Sequence, residues 1–287
     1  MTNLRAIGLM IVAVAAFACS DALIKAATET ISVGQVLLLT ALGNLAWFLP
    51  RLKFAGAALF TRDAMSGAVL LRTGGEVFGS LGIVTGLALI PLTTVSAIMQ
   101  AQPLVVVLVA ALFLGETVGW RRWAAVMVGF VGVMVILRPA TGGFDINMLW
   151  PLLGVMGLTA RDVGTRLLPE RISADFAITW AVIGMVFLGA TLTVLQGGWR
   201  PMDGVTWALV GGTIVTVTVA YTTITAAFRM GEVAAIAPFR YTRMIFALLI
   251  GMTIFGERPD LATWAGIALI IGSGLYAFWR EQQAARE

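Results

Sequence analysis

Displaced by 141 residues, the chain repeats itself without a gap: Asp21 falls on Asp162, Lys25 on Arg166, Glu29 on Glu170 and Ile31-Ser32 on Ile172-Ser173. The same register aligns Gly43 with Gly184, Val69 with Val210, Gly115-Glu116 with Gly256-Glu257 and Trp123-Ala124 with Trp264-Ala265. A register held from Asp21 to Ala124 with no insertion implies two copies of one structural unit, expected at residues 1–140 and 141–287. The fold must therefore be one that two similar halves can build together.

What fills each copy sets the solvent. Apolar runs of about 20 residues succeed one another with short polar breaks, and each is long enough to cross a bilayer core of about 30 Å. With 59% hydrophobic and 12% charged residues and a mean hydropathy of +0.94, the chain lies outside the range of soluble globular domains. The expected class is an all-α membrane protein with no soluble module. A net charge of +4 is no nucleic-acid signal, because the basic residues cluster at the ends of apolar runs. One cysteine, Cys19, excludes an intrachain disulfide, and the absence of histidine removes the commonest metal ligand. No cofactor is expected. The N-terminal run MTNLRAIGLM reads as the start of the first span, not a cleaved signal.

Spans are expected near 5–27, 32–50, 65–89, 92–114, 121–138, 147–168, 173–195, 204–228, 233–255 and 261–279, ten in all. Pro50, Pro91 and Pro201 are read as turns, while Pro103 and Pro238 fall inside or at the start of spans, where a helix facing protein tolerates a break. With the N-terminus inside, the cytoplasmic side collects Arg5, Arg51, Lys53, Arg62, Arg121, Arg122, Arg171, Arg229, Arg280 and Arg286; the other side has Arg138, Arg200 and Arg258. That asymmetry puts both termini in the cytoplasm. Five spans per copy is an odd number, so the second copy enters the membrane from the opposite side. Ten helices as two inverted-topology five-helix repeats is a pattern of secondary transporters, whose substrate binds near the midplane.

Ionisable residues inside spans are costly and are therefore candidate sites. Asp21 and Lys25 sit four apart on one helix face, as do Asp162 and Arg166, a spacing that lets each pair neutralise itself. Their presence in both copies favours a structural role, with a gate or proton role as the alternative. Arg72 and Glu76 are spaced in the same way, but the second copy has Thr213 and Val217 there, so the fold does not require those charges. Glu76 lies among Gly75, Gly79, Gly82 and Gly86, a small-residue stripe that lets helices approach closely. A carboxylate there suits the ammonium of an amino acid or an organic cation; an internal salt bridge with Arg72 is the plainer reading.

Thr218 and Tyr221 share a helix face, and the threonine can instead bond its own helix carbonyl. Met99, Gln100 and Gln102 match Arg240, Tyr241 and Arg243 in the second copy, at mid-span positions of contrasting polarity. The planar fork of Arg240 or Arg243 suits a substrate carboxylate. Pairing with Glu76 or with helix carbonyls is the alternative. Trp120, Trp123, Trp150, Trp199, Trp264 and Trp279 read as interfacial anchors, whereas Phe78, Tyr221, Phe239 and Tyr241 lie deeper, in a pocket wall or a packed core. No nucleophile–base set and no phosphate loop is visible, so an enzyme is not expected.

The segments PLVVVLVAALFLGETVGWRRWAAVMVGFVGVMVI and YTRMIFALLIGMTIFGERPDLATWAGIALIIGSGLYAF resemble the paired helix units of EamA-type proteins in the drug/metabolite transporter superfamily. The specific part is an apolar helix ending in Gly-Glu, a short loop and a Trp-containing, glycine-rich helix, found twice. The resemblance implies ten helices, inverted halves, and a cavity formed largely by helices 1, 3, 4, 6, 8 and 9. It assigns Glu116 and Glu257 to loop structure. In length and organisation the chain is similar to the YddG-type amino-acid exporters of that family.

The resulting expectation is a bacterial inner-membrane exporter of amino acids, apolar or aromatic ones preferred, working as a monomer by alternating access. Glu76 would take the amino group, Arg240 or Arg243 the carboxylate, and the deep aromatics the side chain. Efflux of lipophilic cations and a non-transporting scaffold are the competing readings.

Overall fold

A computed structural model describes residues 2–54, 59, 61–113, 119–138, 145–230 and 236–284. Among them the secondary structure is helical, without strands. The helices are α1 (Thr2–Ala27), α2 (Val33–Phe54), α3 (Gly67–Leu89), α4 (Leu92–Met99), α5 (Gln102–Phe113), α6 (Trp120–Leu137), α7 (Leu149–Arg166), α8 (Ala174–Leu195), α9 (Gly204–Met230), α10 (Arg243–Thr253) and α11 (Leu261–Ala284). Among the described residues, seven stretches are long and apolar enough to cross a membrane: Leu4–Ala27, Val33–Leu52, Gly67–Leu89, Leu92–Phe113, Asp175–Leu195, Gly204–Ala227 and Leu261–Arg280. Trp123–Leu137 is a shorter apolar helix. The expected span over 147–168 becomes α7, which carries Arg161, Asp162 and Arg166 near its end. The expected span over 233–255 is described only from residue 236.

Two prolines behave differently from their sequence reading or sharpen it. Pro50 is not a turn: α2 runs through it to Phe54. A proline this close to a helix end removes one backbone bond, and little helix follows it. Pro91 does mark a start, as the residue preceding α4.

The chain divides into two compact units, and neither coincides with one sequence repeat. One comprises Met1–Ala22, Ile90–Met148 and Val219–Glu287; the other comprises Leu23–Leu89 and Leu149–Thr218. The helices α1 and α9 each contribute to both.

In the unit built on α2, α3, α7 and α8, contact is made backbone to backbone. A Cβ on Gly75 would overlap the Arg161 nitrogen and lie 2.6 Å from the Gly157 carbonyl oxygen. One on Gly164 would lie 2.6 Å from the Arg72 nitrogen. Small residues are what drive helix pairing where lipid is as apolar as the side chains. The repeat is visible in the packing too. Gly43 lies against Ile214, and their counterparts 141 positions away, Gly184 and Thr73, also touch, at 3.2 Å from a built Cβ to the threonine methyl.

Among the described residues, three pairs of helices from opposite repeats pack antiparallel within a unit. Gly34 of α2 meets Thr193 of α8, and Leu38 meets Gly189. Thr93 of α4 meets Gly251 of α10; Gly129 and Gly132 of α6 meet Ser273 and Gly266 of α11. Glu257, expected to be structural, caps α4: its carboxylate accepts from the Leu92 and Thr93 N–H groups at 2.6 and 2.8 Å. Pro91 supplies no side-chain cap to that helix, so a carboxylate from the α10–α11 turn satisfies its first donors. Gly256 sits at φ +63°, a left-handed conformation that favours glycine, and this turns the chain toward α4. The Gly-Glu signature thus has a mechanical reason in the second copy. Glu116 lies outside the described residues.

Candidate functional site

One span of the first unit is interrupted, and its repeat counterpart carries a 3₁₀ stretch at the matching position. The α4 helix ends at Met99, and after a turn at Gln100–Ala101 the chain resumes as α5, with Pro103 in its first turn. On the other copy a 3₁₀ stretch, Ala237–Thr242 with Pro238 at its start, precedes α10. The Nε2 of Gln100 donates to the carbonyl of Tyr241 at 3.2 Å, so each break touches its counterpart, 141 residues away. Interrupted spans leave backbone groups and helix ends at membrane depth, where a buried cavity or protein must satisfy them.

Arg243 is the first residue of α10. Its Nη2 donates to Asp21 Oδ2 at 2.6 Å, and its guanidinium carbon lies 5.4 Å from the centre of the Phe17 ring. Phe17 and Asp21 are one turn apart on α1, so one arginine reaches both. Phe17 in turn meets Tyr221 edge-on, ring centres 5.5 Å apart. The pair is secluded, with side-chain exposures of 8% for Asp21 and 20% for Arg243. Arg243 Nε is buried and finds no hydrogen-bond partner among the described residues. Next to it, Tyr241 places its phenol against Gly274, where a Cβ would overlap the ring oxygen and come within 2.5 Å of Cζ.

The second unit holds a different cluster. Arg161 Nη1 lies 3.6 Å from Glu76 Oε2, while its Nη2 and Nε bind Asp162 Oδ1 at 2.8 and 2.9 Å. Arg72 Nη1 donates to the Ala177 carbonyl at 2.8 Å, and Lys25 Nζ to the Leu87 carbonyl at 3.2 Å.

These contacts revise one pairing read from spacing, that of Asp21 with Lys25. Asp21 is partnered by Arg243 across two helices, and Arg161 serves both Glu76 and Asp162. Arg243 is paired, as the plainer reading had it, but with Asp21 and not with Glu76. Glu76 and Arg243 belong to different units. Thr218 bonds its own helix at the Ile214 carbonyl, 2.8 Å, and reaches Asn44 Oδ1 at 3.3 Å. Phe78 is 55% exposed. Phe239 packs with Ala6, Met10, Val14, Ala227 and Ile236 in a core cluster. Met99, Gln100 and Gln102 are buried, Arg240 and Tyr241 half-buried, and Arg166 exposed.

Arg161 and Phe17 were missed by the sequence reading. Arg161 could have been found, because it stands opposite Ser20 in the repeat register, a mismatch of the same kind as Glu76 opposite Val217. Phe17 carried no such mark.

At one end of the first unit, a cavity of about 280 Å³ is lined by Pro91, Thr93, Arg138, Glu257, Arg258 and Asp260, among others. Asp260 precedes α11 and caps it, accepting from the Thr263 N–H at 2.9 Å and its hydroxyl at 2.8 Å; Arg138 also binds it. The Arg138 guanidinium, and then Thr263, hold the Asp260 carboxyl well below the usual carboxylate range, while the same contact raises Arg138. A lowered carboxyl contributes stability that is present above its unfolded pKa of about 3.9 and lost as pH falls through the folded value. Asn can still cap a helix, so Asp260→Asn isolates the charge. The thermal midpoint of the wild type should exceed that of the variant by a constant amount from about pH 8 to about pH 5 and approach it below about pH 4. The difference should be under about 1 kcal/mol and shrink with salt, since both groups are partly exposed. A gap that stays unchanged into strong acid would show that the charge is not its source.

The model of the EamA-like transporter family matches residues 4–138 and again 146–279. An S-adenosylmethionine uptake transporter of Rickettsia felis is 29% identical over 213 residues, covering 72% of this chain and 70% of the relative. A riboflavin transporter of Rhizobium johnstonii is 30% identical over 214 residues, covering 74% and 70%. A pseudopaline exporter of Pseudomonas aeruginosa is 26% identical over 275 residues, covering 92% and 93%. A solved crystal structure superposes over 98% of both chains with a TM-score of 0.65 at 18% identity, a likeness of fold. The relatives differ in cargo and in direction, and amino-acid export is not among the activities they are named for. A multi-pass helical chain that carries this family's unit twice has one reading: the protein belongs to the EamA-like transporter family and is a membrane transporter.

Proposed function

We propose that this transporter carries small metabolites bearing an α-amino acid group, foremost amino acids with apolar or aromatic side chains, along a path that passes Arg243. The observation that carries the reading is the secluded Asp21–Arg243 pair at the interrupted start of α10. An ionisable pair at membrane depth is costly to keep, which favours a use in the substrate path. A guanidinium receives a carboxylate in a planar fork, and a bound carboxylate would satisfy the Nε that now bonds nothing among the described residues. Phe17 and Tyr221 offer apolar surface beside it, with Gln100, Gln102, Met99, Arg240 and Tyr241 around the two breaks. Glu76 has no part in this reading; with Arg161 and Asp162 it forms a separate lock.

The antiparallel packing of helices from opposite repeats supports inverted halves and alternating access, and ten spans are part of this reading. The distribution of arginines supports an inner-membrane location with both termini in the cytoplasm. Among the cargoes named for the relatives, S-adenosylmethionine carries an α-amino acid group, which fits; riboflavin does not. Export, the direction suggested by the likeness to amino-acid exporters, is the version to test first in cells.

Counterflow in proteoliposomes tests the substrate class. Unlabelled phenylalanine inside should drive saturable entry of labelled phenylalanine, and Phe17→Ala should lower that entry several-fold while smaller amino acids suffer less. Entry of a labelled lipophilic cation instead would favour the cation-efflux reading. Absence of counterflow for every amino-acid-bearing compound tried would sink the proposal.

A further inference from the structure

The Asp21–Arg243 pair has a second property, its charge balance. Asp21 has Arg243 as its one ionic partner among the described residues, and the two charges cancel. Phe17, which the Arg243 guanidinium faces, and Tyr221, edge-on to Phe17, carry no charge at neutral pH. Gln100, which bonds the Tyr241 carbonyl two residues before Arg243, is neutral too. Arg240, one turn before Arg243, and Lys25, one turn beyond Asp21, are the next cations; Lys25 is directed to the Leu87 carbonyl. At 2.6 Å the pair leaves no room for a ligand between its members, so a carboxylate reaching Arg243 must part it from Asp21.

That displacement decides which ligands are admitted. A simple carboxylate would leave Asp21 as an uncompensated buried anion, and a simple amine on Asp21 would leave Arg243 as an uncompensated cation. Either is strongly disfavoured in a low-dielectric site. A zwitterion replaces both partners at once: its carboxylate takes Arg243 and its ammonium takes Asp21, and the balance is kept. We infer that Asp21 is the specificity-determining residue of this transporter, selecting ligands that carry both an ammonium and a carboxylate and rejecting the corresponding simple acids and amines. The inference rests on the amino-acid reading above and adds a charge rule to it.

The charge rule makes a reversal testable. Wild-type protein in proteoliposomes is assayed for phenylalanine counterflow in the presence of unlabelled phenylalanine, 3-phenylpropionate or phenethylamine, which share one ring and differ in charge. Phenylalanine should compete at least tenfold better than either analogue. In Asp21→Asn the site carries one positive charge, so 3-phenylpropionate should become the better competitor and phenylalanine should lose its advantage. Binding measured by thermal shift on the purified full-length variant gives the same ranking if flux is too slow to read. A simple acid that competes as well as phenylalanine in the wild type overturns the inference and leaves carboxylate binding by Arg243 standing. So does an Asp21→Asn variant that keeps the wild-type ranking. If that variant does not accumulate, the wild-type series decides alone. A complete lack of amino-acid counterflow removes the amino-acid reading, and this inference falls with it.

Discussion

Arg243→Ala should lower the stability of the purified protein by about 3–5 kcal/mol, the usual cost of leaving one member of a buried ion pair without its partner. Asp21 is 6% exposed, lies in an apolar span and has Arg243 as its one ionic partner among the described residues. Removing the guanidinium therefore strands a carboxylate where water cannot solvate it, and it also removes the cation that faces Phe17. Adding Asp21→Asn to the same chain should recover most of the loss, because a neutral amide tolerates burial far better than an anion. Asp21→Asn alone should cost less than Arg243→Ala, since Arg243 keeps part of its exposure and its aromatic neighbour. Thermal unfolding in detergent reads all three. If Arg243→Ala melts with the wild type, or if the double variant is worse than the single, the pair does not hold α1 to α10. The rescued double variant should still fail in phenylalanine counterflow, which separates holding the fold from binding the substrate.

Gly75→Ala should be nearly as damaging, at about 3 kcal/mol or more, because overpacking is worst where the obstacle is backbone. The added methyl would overlap the Arg161 nitrogen and sit 2.6 Å from the Gly157 oxygen and 2.9 Å from the Ala160 carbonyl carbon. None of these atoms can rotate away; α3 and α7 would have to separate along their whole contact. Separation would also move Arg161 from Glu76, since both sit at this crossing. Gly74→Ala is the control, one residue away on the same helix, where a Cβ meets nothing within 4 Å. Expression level and thermal midpoint should fall for Gly75→Ala and hold for Gly74→Ala, which should gain slightly from helix propensity. Equal behaviour of the two variants would mean that the helices do not meet as closely as described.

Much of the architecture was legible because it rests on repetition and solvent. A period of 141 residues needs no knowledge of contacts, and a run of apolar residues the length of a bilayer has few other uses. The glycines at 75, 79 and 82 were readable as a close-approach stripe, since in lipid only small residues let two backbones meet. The register could even sort scaffold from site in part: Glu257 matched its counterpart and proved to cap a helix, whereas Glu76 and Arg161 stood opposite apolar or small residues and proved to share a charge cluster.

The pairings were not legible, and the reason is geometric. Spacing of four residues says that two side chains on one helix can meet; it says nothing of a third side chain arriving from another helix. Asp21 was within reach of Lys25 by that rule, yet Arg243, 222 positions away, is the group that binds it. Likewise the prolines at 103 and 238 announced weakened helices, but not that the two breaks would touch through Gln100 and Tyr241. By itself, then, the amino-acid order determined a membrane-embedded duplication and where its helices run, because hydrophobic length and repeat register are local quantities. Which charges face one another was decided only by tertiary structure, because a buried ion takes the partner that packing brings nearest, whatever its distance along the chain.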